Sequence, residues 1–148
     1  MTKVYFIRHA ESTWNAFGDR SKDTPITDKG KEQAKQVSGF VHTVICSNLQ
    51  RAKQTLEHSN LKYNDVIYTD LCREIKGGTS CDYLHHEDVN HHESHNDVKK
   101  RVDELKELIH KLKEDNPNKI IGILSHHCFI HHITGIGTFN CQVLEHHL

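Results

Sequence analysis

Four short apolar runs, residues 4–7, 41–46, 66–69 and 120–124, constrain this chain more than any other feature. Each is too short for a helix and rich in Val, Ile or aromatic side chains, the mark of a buried strand. Helical signals fill the intervals. Thr27 is a good N-cap for a helix expected to reach about Phe40. Residues 47–56 read as a turn entering a helix. A long helix starts at Ser94, where Ser94 and Asp97 resemble a capping box. Val98, Val102, Leu105, Ile109 and Leu112 give that helix one apolar face, and Asn116-Pro117-Asn118 stops it. A short helix over 129–133 and a last strand over 140–144 complete the chain, while residues 16–22 read as a polar loop. Strands alternating with helices predict an α/β fold: a three-layer α/β/α sandwich with a largely parallel central sheet, as one domain over 1–148.

Charge and cysteine usage narrow the function classes. Nineteen basic side chains face twenty acidic ones, which gives no support for a nucleic-acid or membrane partner. Fifteen histidines make the charge sensitive to pH near neutrality. The five cysteines form no CxxC pair; Cys46, Cys72 and Cys128 lie in or beside apolar segments and are expected as buried reduced thiols. No apolar run approaches membrane-spanning length, and the first strand begins too near Met1 for a signal peptide. The expectation is a soluble cytoplasmic protein.

Chemistry collects at the strand ends. The first strand ends in Arg8-His9, Arg51 follows the second just past Ser47, and Ser125-His126 follows the fourth. Ligands of open α/β sheets bind at the carboxyl ends of strands. Two Arg and two His converging there suggest phosphate: guanidinium forks bind its oxygens and never lose their charge, and a neutral imidazole is a capable nucleophile at phosphorus.

Arg8-His9-Ala10-Glu11-Ser12-Thr13-Trp14-Asn15 resembles the Arg-His-Gly motif of the histidine phosphatase superfamily, also called phosphoglycerate-mutase-like, with Ala10 in place of Gly. Ser47-Asn48-Leu49-Gln50-Arg51-Ala52-Lys53-Gln54-Thr55 matches that family's Ser-x-Leu-x-Arg-Ala-x-Gln-Thr at every specified position. Pro25 to Ala34 is similar to its Pro-Leu-Thr-x-x-Gly-x-x-Gln-Ala helix start. Cys72-Arg73-Glu74-Ile75-Lys76-Gly77 resembles its acid segment, Glu93-Ser94 its Glu-Ser helix opening, and Ser125-His126-His127-Cys128 its Ser-His-Gly-Gly. The ordered set spans Lys3 to about Asn140.

The resemblance implies that His9 is the nucleophile that becomes phosphohistidine. It implies that Arg8, Asn15, Arg51 and His126 hold the phosphoryl oxygens, with His126 also counted as catalytic, and that Glu74 protonates the leaving oxygen and then activates water. No cofactor or metal is called for. The implied substrate is a small phosphorylated metabolite or a phosphoprotein, hydrolysed as a phosphomonoester. The alternative is a catalytically weak or inactive phosphate-binding module, because His127 and Cys128 stand where the family has glycines and would be strained at positive φ. Ala10 is expected to keep its backbone donor for the site. His85, His86, His91, His92 and His95, with Cys81, fit no established zinc spacing and read as a solvated loop. Residues 79–92, polar and poor in apolar side chains, are expected to leave an open mouth that admits water, favouring hydrolysis over mutase chemistry.

Overall fold

The computed structural model describes residues 2–148. Its strands are β1 (Lys3–Arg8), β2 (Ser38–Ser47), β3 (Asn60–Thr69), β4 (Ile121–Ser125) and β5 (Val143–His147). They form one sheet in the order β3-β2-β4-β1-β5, parallel throughout except for β5, which runs against β1. The helices are α1 (Thr13–Phe17), α2 (Asp28–Ala34), α3 (Gln50–His58), α4 (His95–Glu114) and α5 (His127–Thr134), with single 3-10 turns at Asp70–Cys72 and Ser80–Asp82.

The two-residue alternation of the strands sorts side chains into two cores. On one face, Phe6, Ile45, Ile121 and Ile123 pack with Val98, Val102, Leu105 and Ile109 of α4 and with Phe129 and Ile130 of α5. On the other, Ile7, Val44, Cys46 and Leu124 pack with Ala52 and Leu56 of α3. Helices on both faces of a mostly parallel sheet make the expected three-layer sandwich. Ser94 caps α4 through Asp97, whose side chain returns the bond to the Ser94 N–H.

Several boundaries differ from the sequence reading. The helix capped by Thr27 ends at Ala34 rather than near Phe40, because Val37 turns back onto the Ala34 carbonyl and Gly39 takes φ +99°. Phe40 therefore belongs to β2, which pairs with β3 from Ser38 onward. The polar residues 60–65 belong to β3. It is an edge strand with one neighbour, so its side chains face water and its sequence lacks an apolar signal. The last strand starts at Val143, after Cys141 turns the chain at φ +63°. Cys128 is exposed, not buried, because it opens α5 at the mouth of a cavity; Cys46 and Cys72 are buried thiols as expected.

Candidate active site

Register brings the site together. Arg8 pairs with Ser125 and Cys46 with Leu124, so the carboxyl ends of β1, β2 and β4 lie along one edge. A cavity of about 240 Å³ opens there, lined by Arg8, His9, Asn15, Arg51 and Glu74 among the residues expected from sequence. His126 is not part of the wall. It stands behind His9, the two rings 5.0 Å apart.

His9 is 4% exposed, and its Nδ1 lies 2.6 Å from the Ala10 carbonyl. A carbonyl can only accept, so Nδ1 carries the proton and the lone pair sits on Nε2. That nitrogen faces the Nε of Arg51 at 3.4 Å. Burial first, then Arg51 and Arg8, hold the imidazole well below its ordinary value, against the smaller upward pull of the Ala10 carbonyl. A neutral imidazole of fixed tautomer results. Burial, then Arg51 and His9, likewise keep His126 neutral. Its Nε2 is 2.7 Å from the Ser47 hydroxyl, and its buried Nδ1 has no partner among the described residues.

Arg8 donates through Nη1 to the Thr138 carbonyl, while its buried Nε is unpartnered. Arg51 is more heavily engaged: Nη1 reaches the Cys81 carbonyl at 2.7 Å and Nη2 reaches Asp82 Oδ1 at 2.8 Å. Asn15 sits in the first turn of α1, where its Oδ1 takes the Ser12 N–H at 3.1 Å and completes a capping box. That bond fixes the amide and leaves its N–H groups for the cavity. Glu74 accepts from three backbone N–H groups: Ile75 and Phe129 at 2.9 Å, both on Oε1, and Cys128 at 3.0 Å on Oε2. Arg101 of α4 secures the approach to Glu74 by bonding the Leu71 and Arg73 carbonyls.

Three expectations about this region change. The Ala10 N–H points to the Thr55 hydroxyl at 2.9 Å, so it is not a donor to the cavity; the methyl group packs against Ile26 and Ala34. His127 and Cys128 form the first turn of α5, neither at positive φ, so the two replaced glycines cost no backbone strain. Residues 79–92 are not a loose solvated loop but an anchored segment. Tyr83 is fully buried and donates to the His91 carbonyl, Arg73 forks onto Glu87, and the Ser80–Asp82 turn lies over Arg51. The sequence reading missed Asp82, whose one signal was being an acid soon after Gly77-Gly78; a two-residue anchor in a polar strap has no periodicity to betray it. The histidines of this strap are exposed, and among the described residues no group of three or more His, Cys, Asp or Glu is arranged to hold a metal ion.

A model of the histidine phosphatase superfamily (branch 1) matches residues 4–92. Proteins named probable phosphoglycerate mutase GpmB, from Shigella dysenteriae and Escherichia coli, are 36% identical over 87 residues, 53% of this chain. The match spans 40% of those relatives' length. The fold is similar to that of a solved mycobacterial glucosyl-3-phosphoglycerate phosphatase, at TM-score 0.67 and 20% identity over 98% of this chain and 90% of that one. It is similar to Entamoeba histolytica phosphoserine phosphatase in complex with 3-phosphoglyceric acid, at TM-score 0.68 and 23% identity with the same coverages. No helix among the described residues is long and apolar enough to cross a membrane.

Proposed function

This chain belongs to the histidine phosphatase superfamily, and from that premise we propose that it hydrolyses small phosphomonoesters through a phosphohistidine on His9. The observation that carries the reading is the state of His9: buried, neutral, its proton held on Nδ1 by Ala10 and its free Nε2 turned to a cationic wall. Arg51 shifts its Nε–H from the imidazole to a phosphoryl oxygen as Nε2 attacks. Arg8 and the Asn15 amide supply further donors. An unpartnered buried nitrogen costs about 1–3 kcal/mol, and both Arg8 Nε and His126 Nδ1 are in that condition. A phosphoryl group in the cavity would reach Arg8, which lines it, whereas His126 stands behind His9 and outside the wall; catalysis would rest mainly on positioning and charge stabilisation. The cavity volume suits a phosphoryl group with a compact substituent, which favours small esters among the family's range. Glu74, a lining carboxyl, and His126 complete the site.

The test is brief incubation with a labelled phosphoester, quenched in alkali. Acid-labile label should appear on the protein and be absent, with turnover, from His9→Ala. A coupled mutase assay with bisphosphoglycerate should run far below phosphate release, and vanadate should inhibit. Turnover persisting in His9→Ala would sink the reading. A phosphate-binding module without turnover is the second reading, favoured by one observation: Cys81 and Asp82 already engage two arms of Arg51. Calorimetric binding of phosphate or vanadate without hydrolysis of any phosphoester in a broad panel would select it.

A further inference from the structure

The Arg51 guanidinium joins two parts of the cavity. Its Nε lies 3.4 Å from His9 Nε2, and its Nη2 lies 2.8 Å from Asp82 Oδ1. The Asp82 carboxylate therefore sits one guanidinium away from the nitrogen that would attack phosphorus. Its Oδ1 also takes the Cys81 thiol at 3.4 Å, while Oδ2 has no hydrogen-bond partner among the described residues. The side chain is 11% exposed in the cavity wall, and Arg73 Nη2 pins the main chain beneath it through the Asp82 carbonyl at 3.0 Å. A nearly buried carboxylate oxygen without a donor is poorly satisfied, and an incoming N–H group would satisfy it. Charge points the same way. Among the described residues, Arg8 and Arg51 are the only permanent cations lining the cavity, and a phosphate dianion neutralises both. The charge of Asp82 is then left over. Burial pushes this carboxyl up to about 6, with Arg51 opposing and Glu74 adding, so that above this value it is charged. His127, whose Nδ1 is 3.2 Å from the Thr138 carbonyl, is not a permanent cation. Trp14 brings an indole to the same wall, and an aromatic face attracts an ammonium.

We propose that the Asp82 side of the cavity is a cation subsite, in which Oδ2 receives an ammonium group, and that the substrate class is the phosphate ester of an amino alcohol. The inference deepens the phosphohistidine reading and rests on it: the phosphoryl group takes Arg8, Arg51 and His9, and Glu74 keeps the acid–base role that the resemblance assigns it. A short spacer between the ester oxygen and the nitrogen brings the ammonium to Oδ2. Charges then alternate from phosphate through Arg51 and Asp82 to the ammonium. An ester carrying a carboxylate in that position meets Asp82 as a like charge and finds no fixed cation beyond the two that hold phosphate. Asp82 thus discriminates among leaving groups without taking part in bond making.

The measurement is kcat/KM for phosphoethanolamine, ethyl phosphate and phosphoglycolate, which differ in the group carried beyond the ester oxygen. Asp82→Asn keeps an oxygen for Arg51 but loses the charge. In that variant the ratio of phosphoethanolamine to ethyl phosphate should fall about 10- to 100-fold from its wild-type value, and phosphoglycolate should gain on ethyl phosphate. Comparing ratios between variants cancels the differing reactivity of the three alcohols. If Asp82 served only to hold Arg51, all three esters would weaken alike, and that outcome would overturn the proposal. Calorimetry on His9→Ala, which retains Asp82, reads the subsite independently of hydrolysis. Phosphoethanolamine should bind it about tenfold or more tightly than ethyl phosphate, and equal affinities would remove the subsite. Turnover surviving in His9→Ala indicts the phosphohistidine pathway instead and not the recognition of the amine.

Discussion

The Nε of Arg51 lies 3.4 Å from the Nε2 of His9, a long contact between a permanent cation and the nitrogen that would attack phosphorus. It keeps a proton off the imidazole and waits where phosphoryl oxygens would arrive. Arg51→Ala should therefore do two separable things. The His9 imidazole should titrate higher, since one of the influences depressing it is gone. Turnover should fall about 100- to 1,000-fold in kcat/KM, the usual loss for one preorganised donor. Nitrogen NMR of His9 across pH 5 to 8 reads the first effect and steady-state kinetics the second. An unchanged His9 titration would show that burial alone sets its state.

Asn15 separates cap from charge. Its Oδ1 closes the α1 capping box with Ser12, and aspartate at the same position accepts the same bond. Asn15→Asp should hold the wild-type melting temperature within a degree or two. It should nevertheless raise KM for any phosphomonoester at least about tenfold, because a carboxylate then faces a dianion. Asn15→Ala should lose both cap and donor, melting lower while raising KM less. A KM for Asn15→Asp near the wild-type value would remove Asn15 from the phosphate site.

The layers and the strand-end chemistry were legible because they rest on strong local signals. β4 and the inner parts of β1 and β2 are buried and read as short, largely apolar runs, and Arg8-His9, Arg51 and His126 lie at or just past their carboxyl ends. The first half of β3 was not legible, because an edge strand needs no apolar alternation. Asp82 was hidden for another reason. Its place depends on Arg73 and Glu87, fourteen residues apart, folding the strap down, and on Arg51 from a distant helix. Such long-range polar pairing leaves no periodic trace in sequence. Nor could the sequence show that the Ala10 N–H would be taken by Thr55.

That strap makes Glu87 a test of how the site is built. Arg73 is nearly fully buried, and it forks onto Glu87 at 2.6 and 3.0 Å. Removing one partner of such a pair leaves a buried charge poorly compensated, since Asp70 stays 3.5 Å away on the surface. Glu87→Gln should cost roughly 3 kcal/mol in urea unfolding. Because the same arginine holds the Asp82 carbonyl, KM for phosphoesters should also change. A stability loss with KM untouched would mean that the strap's anchor and the cavity are independent.

Acid stability gives the last test, and its sign follows from the buried imidazoles. His9 and His126 are held below the ordinary 6.5, chiefly by burial, and His146 is lowered in the same direction. The unfolded chain therefore binds protons that the folded one refuses. Their contribution is present above pH 6.5 and is lost as pH falls below it toward the folded values. Asp82 acts oppositely. Its carboxyl rises from 3.8 to about 6 on folding, so its contribution is present below 3.8 and lost as pH climbs through about 6. Between pH 6 and 5 one aspartate thus offsets one of the histidines, and the others prevail. Wild-type stability should decline from pH 6.5 to 5, each uncompensated imidazole contributing at most about 1.4 kcal/mol per pH unit. Asp82→Asn, lacking the offset, should decline more steeply over the same range. Urea midpoints at half-unit steps measure both slopes, and a wild-type midpoint that stays level or rises on acidification would mean that His9 and His126 take up protons without leaving the fold.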